Sequence, residues 1–162
     1  MDPTLETFLP YRLNRLSEAV SLRVRPIYAK RFGLTRPEWR VLAALADLGQ
    51  ATATIVGAHS TQHKTKVSRA VFALEERRWL VRTQDPRDRR SDILSLTEAG
   101  LRAYRELLLP MRQVEAEMLS HLDPADRAAL QRGLAALESV VLESSSDASG
   151  PDAAPASSSS AS

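Results

Sequence analysis

Apolar residues recur every three or four positions along most of this chain, and the phase of that recurrence divides it into elements. Between residues 5 and 31 they fall at Leu9, Leu13, Leu16, Val20, Val24 and Ile27, the stripe of one long amphipathic helix. Pro26 lies inside it, lacking a backbone N–H and crowding the preceding turn, so a kink or restart is expected near Arg25. Phe32-Gly33-Leu34 ends the helix. Thr35 then stands as a cap, with Pro37 and Glu38 in the first turn of a second helix. Trp39, Leu42, Ala43, Leu45 and Ala46 form its buried stripe, and Gly49 stops it. A shorter helix over about 52–58 places Ile55 and Val56 against the next one, with Gly57 permitting a neighbour's close approach.

The stretch from His63 to Leu80 organises the rest. Val67, Ala70, Val71 and Leu74 fall at i, i+3, i+4 and i+7, so one side can be buried against a small domain. Around the opposite arc come Gln62, Thr65, Lys66 and Arg69, flanked by Lys64 and Ser68. Such donors and short hydroxyls near the start of a helix suit base edges and phosphates in a major groove. A merely solvated helix face would carry the same basic pattern, but the segment beyond Trp79 tips the balance toward DNA. Leu80-Val81-Arg82-Thr83 and Ile93-Leu94-Ser95-Leu96 have strand character, and Asp85-Pro86-Arg87-Asp88-Arg89-Arg90 lies in the turn between them. A hairpin with a basic tip directly behind a basic helix is the outline of a winged helix. Arginine's flat, permanently charged fork suits a narrow, negative minor groove, so Arg87, Arg89 and Arg90 are candidate contacts. Asp88 is placed to hold Arg90 in an extended pose.

Thr97 opens a further helix whose stripe runs from Leu101 through Tyr104, Leu107, Met111 and Met118 to His121, with a bend expected at Pro110. Asp123-Pro124-Ala125-Asp126 starts the last helix, which is expected to bury Leu130, Leu134, Leu137 and Val141. Stripes this long lack partner surface in one small chain, and a second copy related by a two-fold axis supplies it. From Ser144 onward the residues are nearly all Ser, Ala, Asp, Pro and Gly, and no large apolar side chain offsets the entropy of ordering them. The organisation expected is therefore an N-terminal dimerisation helix (1–31), a winged helix-turn-helix domain (32–97), C-terminal dimerisation helices (98–143) and a disordered tail (144–162). The fold class is mainly α, with a small β wing.

Charge sharpens this picture. The net charge of the 162 residues is +2, and it rises to +5 for residues 1–142, which leave out the acidic Glu143, Asp147 and Asp152. Within residues 60–95, nine Lys and Arg face five Asp and Glu, so most of the excess sits on the proposed DNA-facing unit. The chain has no cysteine, which excludes disulfides and thiol-based sensing within it. Met1-Asp2-Pro3-Thr4 lacks the basic start of a signal peptide and no apolar run reaches membrane-spanning length, so a cytoplasmic location is expected, away from membranes. His59 and His63 stand four apart without a cysteine or well-placed carboxylate to complete a metal site. With no phosphate-cradling glycine loop or activated serine either, neither an enzyme nor a cofactor is expected.

The run Lys64-Thr65-Lys66-Val67-Ser68-Arg69-Ala70-Val71, then Leu74-Glu75, the wing Asp85-Pro86-Arg87-Asp88-Arg89-Arg90 and Leu96-Thr97-Glu98-Ala99-Gly100 resembles the MarR family of dimeric winged helix-turn-helix transcription regulators. The likeness covers roughly residues 8–142. It departs at the helix-turn-helix bend, where the family often has a glycine and then an apolar residue, and this chain has Thr61-Gln62. The resemblance implies that the helix beginning near His63 is the recognition helix and that Arg90 is the minor-groove arginine. It implies a homodimer on a palindromic site in double-stranded DNA, repressing until a small effector, often an aromatic carboxylate, is held between the dimer helices and the winged domain. Trp39 and Arg40, with Arg15 and Arg23 from the first helix, are the candidates for an aromatic wall and an anion partner; a core position is the competing place for Trp39. A winged-helix module that binds an acidic protein is the alternative from another class, although such an interface would carry aromatic anchors at its centre.

Overall fold

The computed structural model describes residues 4–86, 88 and 90–147. Among them the chain forms α1 (Leu9–Phe32), α2 (Arg36–Leu48), β1 (Gln50–Thr52), α3 (Ala53–His59), α4 (Lys64–Glu76), β2 (Leu80–Gln84), β3 (Asp92–Leu96), α5 (Glu98–Ser120) and α6 (Pro124–Asp147). This is a mainly helical winged helix between long terminal helices. Residues group into two units, Met1–Ala116 and Glu117–Ser162.

Short-range chemistry sets the helix ends. Gly33 closes α1 in the left-handed conformation at φ 63°, which a residue without Cβ adopts at no steric cost. Two residues on, the Thr35 hydroxyl accepts from the Glu38 N–H while the Glu38 carboxylate accepts from the Thr35 N–H, a reciprocal cap on α2. Asp123 accepts from the Asp126 N–H at 2.8 Å and opens α6. At the far end of α4, the Arg78 N–H reaches the Glu75 carbonyl and the Trp79 N–H reaches the Leu74 carbonyl. This Schellman pairing needs a left-handed residue, and Arg78 takes that role at φ 58°. Helix α4 therefore stops at Glu76, short of the Leu80 limit read from the apolar pattern.

The core is drawn from every element of the winged domain. Val67, Ala70, Val71 and Leu74 of α4 pack with Leu42 and Leu45 of α2, Val56 of α3, Leu80 and Leu94 of the wing, and Leu107 of α5, all essentially without solvent contact. The rings of Tyr28, Trp39 and Tyr104 lie nearly parallel in a row, with centroids 6.1 and 5.9 Å apart, and tie α1, α2 and α5 together. Gly57 allows α3 to approach the turn before α4, since a Cβ there would stand 3.2 Å from the Gln62 carbonyl oxygen.

Several expectations are corrected. Helix α1 continues through Pro26 without a restart. The carbonyl that Pro26 leaves without a donor belongs to Leu22, a residue of the exposed side, so the helix loses one hydrogen bond and not its packing. Ile55 is 51% exposed; in a helix as short as α3 only Val56 and Gly57 are turned fully inward. A three-residue strand, β1, precedes α3 and pairs with β3, Ala51 opposite Leu94, giving the sheet order β1-β3-β2. Leu130, Leu134 and Val141 are exposed in the single chain, as are Leu9, Leu13 and Leu16 of α1. Helix α6 continues to Asp147, four residues past the boundary drawn at 143. The remainder of the tail, 148–162, lies outside the described residues, as do Arg87 and Arg89.

Candidate DNA-binding surface

The presentation of α4 is fixed by the turn before it. Thr61 occupies the left-handed region at φ 49°, an uncommon place for a β-branched residue. Side chains from α2 and the turn itself hold it there. The Arg40 guanidinium donates to the Thr61 hydroxyl, which donates in turn to the Ser60 carbonyl. The Gln62 amide donates to the Ser60 hydroxyl at 3.1 Å and to the Pro37 carbonyl at 3.4 Å. Ser60, the one polar side chain fully buried among the described residues, donates to the Val56 carbonyl at 2.6 Å. The departure from glycine at this bend is thus compensated by hydrogen bonds.

With Val67, Ala70, Val71 and Leu74 buried, the 100° step between successive helical residues turns Thr65, Arg69 and Phe72 directly outward. Lys66 and Ser68 lie on the two flanks. Lys64, Thr65, Lys66, Ser68 and Arg69 are all exposed, and among the described residues none of their cations meets a carboxylate. A groove of about 520 Å³ runs beside Lys64, Ser68 and Arg82 and backs onto Gly57 and Val67. The face therefore offers free cations and hydroxyls over a rigid apolar base.

The wing is tied to this helix. Arg82 on β2 makes two parallel hydrogen bonds to the Glu75 carboxylate, each 2.8 Å, and lies 3.7 Å from Asp92. Its hydrogen bonds to Glu75 push the guanidinium pKa further up, against the smaller opposing effect of burial. At the tip, Asp88 accepts from the Arg90 backbone N–H and from the Ser91 hydroxyl, both at 3.0 Å. Asp88 thus positions Arg90 through its main chain and leaves the guanidinium free of that carboxylate.

Sequence reasoning groups Arg15, Arg23, Trp39 and Arg40 about an effector, and the structure distributes them differently. Trp39 is half-buried between Tyr28 and Tyr104. Arg40 serves the turn at Thr61. Arg15 stacks over the Tyr11 ring in an open groove along α1, and Arg23 is exposed. Tyr28, at one end of that ring stack, also lines a pocket of about 270 Å³ between α1 and the start of α2, with Arg25, Leu34 and Arg36 among others. Burial raises the Tyr28 hydroxyl pKa, against smaller opposing effects of Arg36 and Arg25. Arg25 and Arg36, eleven positions apart in the sequence, come to line one pocket only because the chain reverses at Gly33, which no spacing signals.

Residues 32–91 match the model of the MarR family. The HTH-type transcriptional regulator YwoH of Bacillus subtilis (strain 168) is 30% identical over 98 residues, which span 60% of this chain and 71% of that protein. Among solved structures, a MarR family transcriptional regulator from Silicibacter pomeroyi DSS-3 superposes with a TM-score of 0.74 at 28% identity, over 86% of this chain and 99% of the other. BpsR of Bordetella bronchiseptica, whose DNA binding is regulated by 6-hydroxynicotinic acid, does so with a TM-score of 0.65 at 25% identity, over 78% and 98%. With the buried and exposed faces of α4, the paired wing and these matches in agreement, the chain belongs to the MarR family of DNA-binding transcriptional regulators.

Proposed function

We propose that this regulator works as a homodimeric, sequence-specific repressor that a small aromatic carboxylate releases from DNA. The observation that carries the reading is the division of α4, with a sealed apolar side and an outward arc of Thr65, Ser68 and Arg69 bracketed by Lys64 and Lys66. Thr65, Ser68 and Arg69 read base edges, the two lysines take phosphates, and Arg90, with Arg87 and Arg89 beside it, enters the adjacent minor groove. The exposed leucines of α1 supply a self-complementary surface for a two-fold dimer, and those of α6 are a further apolar face for a second copy to cover. Two-fold symmetry then sets a palindromic operator with half-sites about one helical turn apart.

The effector reading rests on the pocket between α1 and α2. Tyr28, Leu22 and Leu34 offer apolar walls, and Arg25 and Arg36 offer cations for a carboxylate, with Glu18 holding Arg36 at 2.6 Å. Trp39 takes part through its stack on Tyr28, and Arg40 through the turn; Arg15 and Arg23 contribute from α1 of the dimer. Regulation of the related BpsR by 6-hydroxynicotinic acid supports this ligand class. Ligand that favours one spacing of the two recognition helices shifts the population away from the DNA-competent state.

Fluorescence anisotropy with DNA from upstream of the chain's own gene tests the reading, beside unrelated DNA of equal length and then with a panel of aromatic carboxylates. Tight binding that survives the competitor and is reversed by a carboxylate supports it. Equal affinity for both DNAs across a genome-wide selection of sites would overturn the sequence-specific part.

A further inference from the structure

A second groove, of about 300 Å³, lies between the amino ends of α2 and α4 and is lined by Arg36, Pro37, Arg40, Thr61, Gln62, His63 and Lys66. Three permanent cations meet in it. Of these, only Arg36 has a carboxylate partner among the described residues, Glu18. Arg40 is anchored by one guanidinium nitrogen to a neutral hydroxyl, which leaves its other N–H groups uncommitted. Lys66 stands on the flank of α4 that faces this groove and meets no acid among the described residues.

Gathering three cations with one carboxylate partner between them is costly in a partly enclosed site. The cost is visible at Arg40, whose pKa is lowered by burial first and then by the nearby Arg36. The fold does not need the arrangement for packing, because none of the residues lining the groove belongs to the apolar core. The amino ends of two thirteen-residue helices, α2 and α4, add their positive dipole ends at the same place. What completes such a site is an anion with several acceptor oxygens, and a planar arginine fork with a point-charge lysine suits a phosphoryl group.

We propose that this groove is a phosphate-binding site in which Arg40 and Lys66 close from two sides on a phosphoryl group, supplied by the DNA backbone or by free phosphate. Arg40 then has two roles, holding the strained turn at Thr61 and neutralising the phosphate. The DNA backbone is the nearer source, because Lys66 borders the same exposed arc of α4 as Thr65 and Arg69.

The test separates the two roles by giving the turn a residue that needs no support. In T61G the left-handed conformation is free of strain, so any effect of R40Q in that background reports on charge. The full-length chain is titrated with a duplex of unrelated sequence over a salt series, as wild type, K66Q, R40Q, T61G and T61G/R40Q, with folding checked by circular dichroism. Relative to its own background, each loss of Arg40 or Lys66 is expected to weaken binding and to reduce the slope of log affinity against log salt by about 0.9 for each phosphate released. Unchanged slopes in both K66Q and T61G/R40Q would overturn the site, and an R40Q effect that disappears in the T61G background would leave Arg40 a turn-holder only, also overturning it. Inorganic phosphate, compared with chloride at equal ionic strength, distinguishes the sources: competition with DNA that K66Q abolishes assigns free phosphate, and its absence alongside reduced slopes assigns the DNA backbone.

Discussion

Gly100 lies so close beneath the carbonyl of Trp79 that a Cβ at position 100 would stand 2.2 Å from that oxygen. The same carbonyl accepts the Thr97 N–H at 3.0 Å, and the Thr97 hydroxyl donates to the Arg78 carbonyl while accepting the Gly100 N–H. The first turn of α5 is therefore seated on the turn that ends the recognition helix, and only glycine lets the two backbones meet. Backbone atoms cannot swing aside as a flexible side chain would. Gly100→Ala should destabilise the chain by roughly 3 kcal/mol, the upper end of overpacking costs. A urea midpoint equal to that of the wild type would show that α5 can shift freely away from Trp79.

Base reading and phosphate holding by α4 separate by substitution. Arg69→Ala should cost roughly 1–3 kcal/mol on the cognate operator and little on unrelated DNA, whereas Lys64→Ala should weaken both alike. Anisotropy titrations with the two DNAs decide it. Equal losses for Arg69→Ala on both duplexes would remove Arg69 from the base-reading set.

The wing tip makes a finer prediction. Because Asp88 holds the Arg90 main chain and the Ser91 hydroxyl, Asp88→Ala should lower DNA affinity several-fold through loss of order at the tip. Asp88→Asn keeps an acceptor for the Arg90 N–H and should retain most of it. In a double-mutant cycle, Asp88→Ala should add little to Arg90→Ala; fully additive losses would mean that Asp88 acts on DNA independently of Arg90.

The apolar stripe of α1 predicts the assembly. Leu16 is 57% exposed in the single chain, and burying it against a partner contributes on the order of 2 kcal/mol per subunit. Leu16→Glu should shift the chain toward monomer in sedimentation velocity and weaken operator binding with it. A variant that remains dimeric at micromolar concentration would move the interface away from this stripe.

What could be read from the sequence tracked the range of the interaction. The stripe Val67-Ala70-Val71-Leu74 and the caps at Thr35, Gly33 and Asp123 depend on neighbours within one or two turns, and each stands where its local pattern places it. Strand β1 has three residues, too few to alternate, and is defined by pairing with β3 more than forty positions away. Residue type alone places Arg40 beside an effector; its contact with Thr61 depends on how α2 crosses the turn, which no spacing reveals. Arg82 carried no special signal either, since its partnership with Glu75 arises only when β2 folds back along α4. For Arg15, Arg23, Trp39 and Arg40 as a group, helical periodicity gave the faces and not the distances between them.

The pair of hydrogen bonds between Arg82 and Glu75 acts as the rivet of a fixed-span caliper. One jaw is α4, the helix proposed to enter the major groove, and the other is the hairpin leading to Arg90. Since the rivet lies between them, a motion that carries one jaw carries the other. Operators of this regulator should then tolerate variation in the gap between half-sites, where two subunits can rotate against each other. Inside each half-site, the distance from the base-read step to the narrow minor-groove tract should be invariant.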